Sequence, residues 1–342
     1  MHPTWKNFLI EQDAVITDGK VSHFGDPTLE RQAVKNDTII ADLSHEAVIT
    51  INGEDAETFL HGQFTNDVKK LNGTNWQLNG YCSPKGRLLA SFRLWKQHDR
   101  YLLQLPSALR ESIQKRLTMF VLRAKVKLVE ASDETIRFGM AGPQAATLIQ
   151  TIAGSPAPEP GALWQGENIT VLSLGQNRFE ILAAPEKASA VWQTLSEGAV
   201  KVGADQWDWL AIRAGEPSIT LATQEQFVPQ MANFELIGGV SFQKGCYPGQ
   251  EIVARTQYLG KLKRRMYLVN IAADSVVAGD PLFSDNLEGQ TSGMIVNAVA
   301  SPDGGFDALA VVQGEKIENQ VIHFKSLDGP ALQPLSLPYA VP

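Results

Sequence analysis

The chain is short of cysteine, with two in 342 residues, Cys82 and Cys246. Two thiols so far apart cannot build a disulfide framework, and no paired C-x-x-C spacing marks a structural zinc site. Both read as free thiols. Long apolar runs are missing as well. No stretch approaches the roughly 20 apolar residues that cross a bilayer. The opening "MHPTWKNFLIEQDAV" has neither a basic leader nor a long apolar segment, so a signal peptide is not expected and the expected compartment is the cytoplasm. Positive charge is in deficit: 30 Lys and Arg against 37 Asp and Glu give a net charge of −7. Broad attachment to nucleic acid needs the opposite balance, so direct nucleic-acid binding is not expected. Low-complexity segments and fixed-period repeats are absent too, which excludes a repeat array. What remains, 44% hydrophobic and 20% charged residues, is the balance of a folded chain long enough for two or three compact units.

The patterning alternates between the two secondary-structure periods. "AVITINGEDAETFLHGQFTNDVKKLNG" predicts a strand at 47–51, then a helix whose Phe59, Leu60, Phe64, Val68 and Leu71 share a face. Strands follow at 76–82, 87–95 and 100–105. "SALRESIQKRLTMFVL" predicts a helix capped by Ser107 that turns Leu109, Ile113, Leu117, Phe120 and Val121 inward. A second unit begins near Lys125 with strands in "KVKLVE" and "TIRFGMA" and a helix after Pro143. The proline-rich "AGSPAPEPGA" marks a loop, and two strands and a helix continue to about Glu197. "DQWDWLAIRAGEP" returns to helical spacing and is ended by Gly215 and Pro217. From Arg264 onward, short alternating strands predict a small β-barrel. The class is α+β, not doubly wound.

One stretch carries chemistry. In "SFQKGCYPGQEIVAR", Cys246 stands between Lys244 and a turn, with Pro248 suited to the first position of a helix. A cysteine just before a helix N-terminus, beside a lysine, favours its thiolate, the form that attacks electrophiles. Gly245 and Gly249 allow a tight turn or close approach to a ligand. An isolated cysteine is more often a small core residue, and Cys82, beside Tyr81 in an expected strand, is read that way. For Cys246 the surrounding Lys244, Tyr247, Gln250 and Glu251 favour a working site.

"KGCYPGQE" resembles the K-G-C-Y-x-G-Q-E signature of the YgfZ-type folate-binding proteins, relatives of the glycine-cleavage aminomethyltransferase. "FLHGQFTNDV", "CSPKGRLLASFRLW" and "FVPQMANFELIGGVSFQKGCY" extend the likeness over most of the chain. The resemblance implies a ring of two αβ units, the first interrupted by the second, and a C-terminal β-barrel. The expected boundaries are 1–124 with 204–260 for the first unit, 125–203 for the inserted one and 261–342 for the barrel. It also implies service to iron–sulfur enzymes, including those that modify tRNA, with tetrahydrofolate or a derivative as ligand.

Three departures bear on that expectation. Aminomethyltransferases carry an acidic pair where this chain has Leu89-Ala90-Ser91, so aminomethyl transfer is not expected. Arg213 stands where they place a pterin-recognising glutamate, and a guanidinium cannot accept the two donors of a pterin edge. Of two tryptophans associated with folate in a relative, one aligns with Glu46 and the other with Trp207. The cofactor-binding candidates are therefore Trp207, Asn66, Asp67, Gln230 and Arg213.

Several of these have plainer readings. Asn66 and Asp67 serve equally well as capping residues. Trp207 and Trp209 point to different faces of a helix, so one of them at most lines a cavity. Phe227, Pro229 and Gln230 suit loop packing. "KLKRR" at 261–265 could meet phosphate or an acidic partner, though a charge run is more often a solvated face. His45 and His61 lack metal-ligand spacing, and no metal site is expected.

Two cysteines cannot supply the four thiolates that usually hold an iron–sulfur cluster, so no stably bound cluster is expected. Two function classes follow. The first is a folate-linked accessory factor acting through Cys246 on iron–sulfur client enzymes or cluster-assembly proteins. The second is a stand-alone folate- or thiol-dependent one-carbon transfer enzyme.

Overall fold

The computed structural model describes residues 1–260, 262–284, 287, 290–314, 317 and 321–342. Contacts divide the chain into two compact units. The first comprises Met1–Ala56, Lys69–Gln77 and Arg93–Trp207, and the second Glu57–Val68, Leu78–Phe92 and Asp208–Pro342.

The first unit holds a six-stranded sheet in the spatial order Leu163–Gln165, Ile169–Gly175, Arg178–Ala183, Ile136–Ala141, Ile39–Asp42, Val200–Val202. All its pairs are antiparallel except the last, in which Val200–Val202 runs parallel to Ile39–Asp42. The central strand "IRFGMA" is buried at all six positions, because helices pack over it. Trp192 of the helix Pro185–Ser196 meets Trp5 and Phe138 edge-on, each at 5.5 Å between ring centroids. Aromatic pairs at this spacing add about 0.5–1.5 kcal/mol each beyond the area they bury. In the same unit, residues 93–97 pair with Arg100–Pro106, which pairs with Glu46–Asn52, which pairs with Lys127–Glu130.

The second unit carries a six-stranded antiparallel sheet in the order Ile322–Phe324, Pro281–Ser284, Thr291–Ala300, Phe306–Gln313, Arg264–Ile271, Gln333–Leu335. It is the all-β region expected from Arg264 onward, with Ile322–Phe324 and Gln333–Leu335 as its edges. Val269, Ile271, Leu282, Ile295 and Phe324 fill its core. Ahead of it in sequence, Phe234, Val240 and Val253 form a smaller cluster under the helix Gln250–Tyr258.

Local expectations fare unevenly. "AGSPAPEPGA" is a loop, and the helix Ala145–Ala153 before it is closed by Gly154 at φ 66°. The helix expected across Phe59–Leu71 is corrected: it runs only Ala56–His61. Phe64 bridges to Tyr81 instead, and the Thr65 N–H donates to the Gly80 carbonyl at 3.0 Å. All five apolar residues are nevertheless buried, Phe59 and Leu60 on the short helix, Phe64 through its bridge to Tyr81, and Val68 on the 3-10 turn Val68–Lys70 with Leu71 just after it. The helix at Ser107–Met119 buries Leu109, Ile113 and Leu117. Phe120, however, is exposed and Val121 only partly buried, since both lie past its end. Ser107 is not its cap, and its N–H donates to the His45 carbonyl.

Trp207 is 5% exposed. Its ring covers Gly139 so closely that a Cβ there would lie 2.5 Å from the indole. Gly139→Ala therefore displaces the ring and costs about 1–3 kcal/mol of overpacking. Denaturant unfolding followed by tryptophan fluorescence checks this; unchanged stability and an unchanged spectrum would contradict the packing.

Candidate thiol site

The motif turn lies within the second unit and is built on glycine. Gly249 sits at φ 79°, and a Cβ there would come within 2.4 Å of the Ser83 carbonyl and 2.6 Å of Gly86. Only glycine permits both the left-handed backbone and this approach. Gly86, itself at φ 70°, closes the Ser83–Arg87 hairpin turn, with its N–H donating to Ser83 at 2.8 Å. Two glycines thus press the motif against the hairpin.

This corrects the start of the helix, which runs Gln250–Tyr258 with Gly249 as its cap. Pro248 lies outside it, and Cys246 stands four residues before Gln250. Glu251 falls in the first helical turn, where a carboxylate complements the helix dipole. The Gln250 N–H donates to the Tyr247 carbonyl at 3.1 Å.

Lys244 does not extend into solvent. Its ammonium donates to the carbonyls of His61 and Phe64 and lies 4.8 Å from the centre of the Tyr247 ring. Burial pushes Lys244 down to about 8, while Asp67 and Cys246 pull it back up. The ammonium caps the carbonyl end of the helix Ala56–His61, and hydrogen bonds to a charged donor of this kind contribute about 1.5–3 kcal/mol. Tyr247 is buried, and burial raises its phenol.

The two cysteines differ in access. Cys246 is exposed, whereas Cys82 is buried and desolvation pushes it up to about 12.

Two residues not expected to act stand at this turn. His61 Nδ1 lies 3.2 Å from Asp67 Oδ1, with both side chains largely shielded. Its Nε2 is 3.4 Å from where a Cβ on Gly245 would lie. Asn79 is fully buried, and its Oδ1 accepts the Asn66 N–H at 3.1 Å. Its Nδ2 has no acceptor among the described residues. Metal-ligand spacing in sequence offered no route to His61, which reaches the motif across 183 positions.

The other expected residues serve different places. Asn66 Nδ2 donates to the carbonyls of Leu78 and Gly238, and Asn66 Oδ1 accepts the Asp67 N–H. Gln230 is buried and donates to the Val253 carbonyl at 2.7 Å, steadying the motif helix. Arg213 lies 3.6 Å from Asp307 and over the Trp209 ring. Trp209 donates to the same carboxylate at 2.9 Å. Trp207 belongs to the first unit. Of "KLKRR", Lys261 lies outside the described residues, Arg264 binds Gln313, and Arg265 is held by Glu235 and the Gln230 carbonyl.

For a folate the fit is therefore partial. Asp67 is partly accessible to a polar ring edge, while Asn79 is fully buried and Asn66 and Arg213 are already engaged. Leu89, Ala90 and Ser91 are buried, and Ser91 Oγ accepts the Ile219 N–H.

The fold and this turn define the class. The family model for the GCVT N-terminal domain matches residues 23–163. The glycine cleavage system aminomethyltransferase T of Bartonella henselae matches with a TM-score of 0.81, covering 99% of this chain and 97% of that one at 18% identity. The fold is thus that of the aminomethyltransferases.

Sequence relatives narrow it further. The tRNA-modifying protein YgfZ of Sodalis glossinidius is 32% identical over 301 residues, 86% of this chain and 91% of that one. That of an Enterobacter species is 31% identical over 300 residues, with the same coverage of each. The chain belongs to the YgfZ family. Among the described residues, no helix is long and apolar enough to cross a membrane.

The difference in access has a direct readout. An aromatic disulfide reagent titrates one thiol in the native protein and two after denaturation. Two fast native thiols, or none, would contradict the placement of Cys82 and Cys246.

Proposed function

We propose that the protein is a thiol-based accessory factor of tRNA modification, acting in the cytoplasm on iron–sulfur enzymes that modify tRNA or on proteins that assemble their clusters. The observation that carries this reading is the exposed Cys246 on a glycine-built turn, two positions after Lys244, whose ammonium is anchored on main-chain carbonyls. A positive charge beside a thiol favours the thiolate. The relatives' name, tRNA-modifying protein YgfZ, supports the process.

Two further observations favour an accessory role over a stand-alone one-carbon enzyme. Proton removal from an amine substrate needs a positioned base, and Leu89, Ala90 and Ser91 provide no carboxylate where aminomethyltransferases have theirs. The action is also directed to proteins and not to tRNA itself. The net charge is −7, and Arg264 and Arg265 of the basic run are engaged within the fold. A reduced folate belongs to this reading as a ligand of modest affinity, with Asp67 as its expected contact.

Cys246→Ser tests the proposal. The variant keeps the native melting temperature and fails to restore iron–sulfur-dependent tRNA modification in a strain lacking the gene. Full restoration by the serine variant would overturn the reading. Calorimetric titration with tetrahydrofolate tests the ligand separately, and the absence of saturable heat would remove folate from it.

A further inference from the structure

The motif helix Gln250–Tyr258 keeps little of itself inside. Of its nine residues Val253 alone is buried, against Phe234 and Val240. On its outer side Ile252 is 40% exposed, Tyr258 69%, and Leu259, just past the last turn, 83%. Ile252 and Leu259 stand seven positions apart, so they share a face with Arg255 and Thr256 between them. The Thr256 hydroxyl donates to the Ile252 carbonyl at 2.8 Å and is satisfied within the helix. Tyr258 borders this face and meets Phe242 edge-on at 5.9 Å. At the other end, a Cβ on Gly86 would lie 2.9 Å from the Ile252 Cβ and 3.1 Å from the Gly249 carbonyl. The apolar ridge and the turn that carries Cys246 therefore rest on the same hairpin.

The charge around the ridge runs against that of the chain. Arg255, Lys263 and, at the hairpin tip, Lys85 are exposed, while Glu251 in the first turn is the one carboxylate of the helix. The whole chain carries −7. Contiguous apolar surface rimmed by polar groups marks an interaction site, whereas single exposed apolar residues do not.

We propose that this ridge is the docking surface for the protein on which Cys246 acts, and that the partner presents an apolar segment flanked by carboxylates. The inference rests on the reading of Cys246 as the working thiol and deepens it by naming the surface that brings a protein to it. Burial of Ile252, Tyr258 and Leu259 supplies contact, and the cations steer an acidic partner and fix its register. Other occupants fit less well. RNA is held through phosphates and by stacking on aromatic rings, and two of the three apolar side chains are aliphatic. A second copy docked by the same face about a two-fold axis would bring the like charges of the two ridges together. Anionic lipid surfaces are read by clusters of about four to eight Lys and Arg, and the exposed cations here fall short of that.

The test is complementation of a strain lacking the gene, with every variant expressed at the wild-type level and iron–sulfur-dependent tRNA modification as the readout. The double variant Tyr258→Gln, Leu259→Gln loses modification to the level of the deletion strain. Arg255→Glu loses it too, and Arg255→Lys restores it. In the purified double variant, Cys246 reacts with iodoacetamide at the wild-type rate and the melting temperature is unchanged, so the loss reports docking and neither the thiol nor the fold. Should the double variant melt lower, Arg255→Glu carries the test. Restoration by the double variant or by Arg255→Glu would overturn the proposal.

Three measurements expose another occupant, and each would also overturn it. These are a tRNA gel shift abolished by Arg255→Glu, co-sedimentation with phosphatidylserine vesicles abolished by the same change, and a wild-type dimer in the ultracentrifuge that the double variant dissociates. Failure of the thiol reading is distinct. An inactive Cys246→Ser beside an active double variant removes the docking surface alone, and an active Cys246→Ser beside an inactive double variant removes the thiol alone.

Discussion

A half-buried ammonium holds the motif in place. Lys244 gives up much of its hydration and recovers hydrogen bonds from two main-chain carbonyls, that of His61 at the end of the short helix Ala56–His61 and that of Phe64 just beyond it. Because an amine is costly to bury without partners, this arrangement ties the motif turn to that helix end. Tyr247 closes over the same charge. Gly249 and Gly86 let the other side of the turn lie against the hairpin. With these contacts made, Cys246 is left exposed on a turn held through Lys244, Tyr247 and Gly249.

The motif turn sits on the fold of an aminomethyltransferase. The likeness to the Bartonella henselae protein extends across nearly the whole chain. Yet Leu89, Ala90 and Ser91 are packed inside, and Arg213 is drawn to Asp307, a carboxylate that also binds Trp209 and Asn270. What this chain offers in compensation is a thiol with a fixed cation beside it. The change is one of side chains on a retained scaffold, as expected when function resides in a site and not in the fold.

What the sequence disclosed followed the range of the interactions involved. The class, the C-terminal all-β region and the buried Cys82 depend on periodicity or on residues within one turn of each other, and these were legible. The errors came from distant partners. Phe64 leaves its expected helix because Tyr81 pairs with it, and Gly249 takes the cap in place of Pro248 because Ser83 and Gly86 press against it. Trp207 packs over Gly139, a contact that no local pattern in the sequence announces. His61 was set aside for lacking a histidine partner at ligand spacing, whereas its partners are a carboxylate six residues on and a glycine in the motif.

The central claim is that the anchored Lys244 charge controls Cys246. The measurement that addresses it most directly is the second-order rate of Cys246 alkylation near neutral pH in Lys244→Met, compared with wild type at low and high salt. Loss of the adjacent cation predicts a markedly lower rate, with the wild-type rate falling toward that of the variant at high salt, in a protein that still unfolds cooperatively. An equal rate in the folded variant would contradict the account.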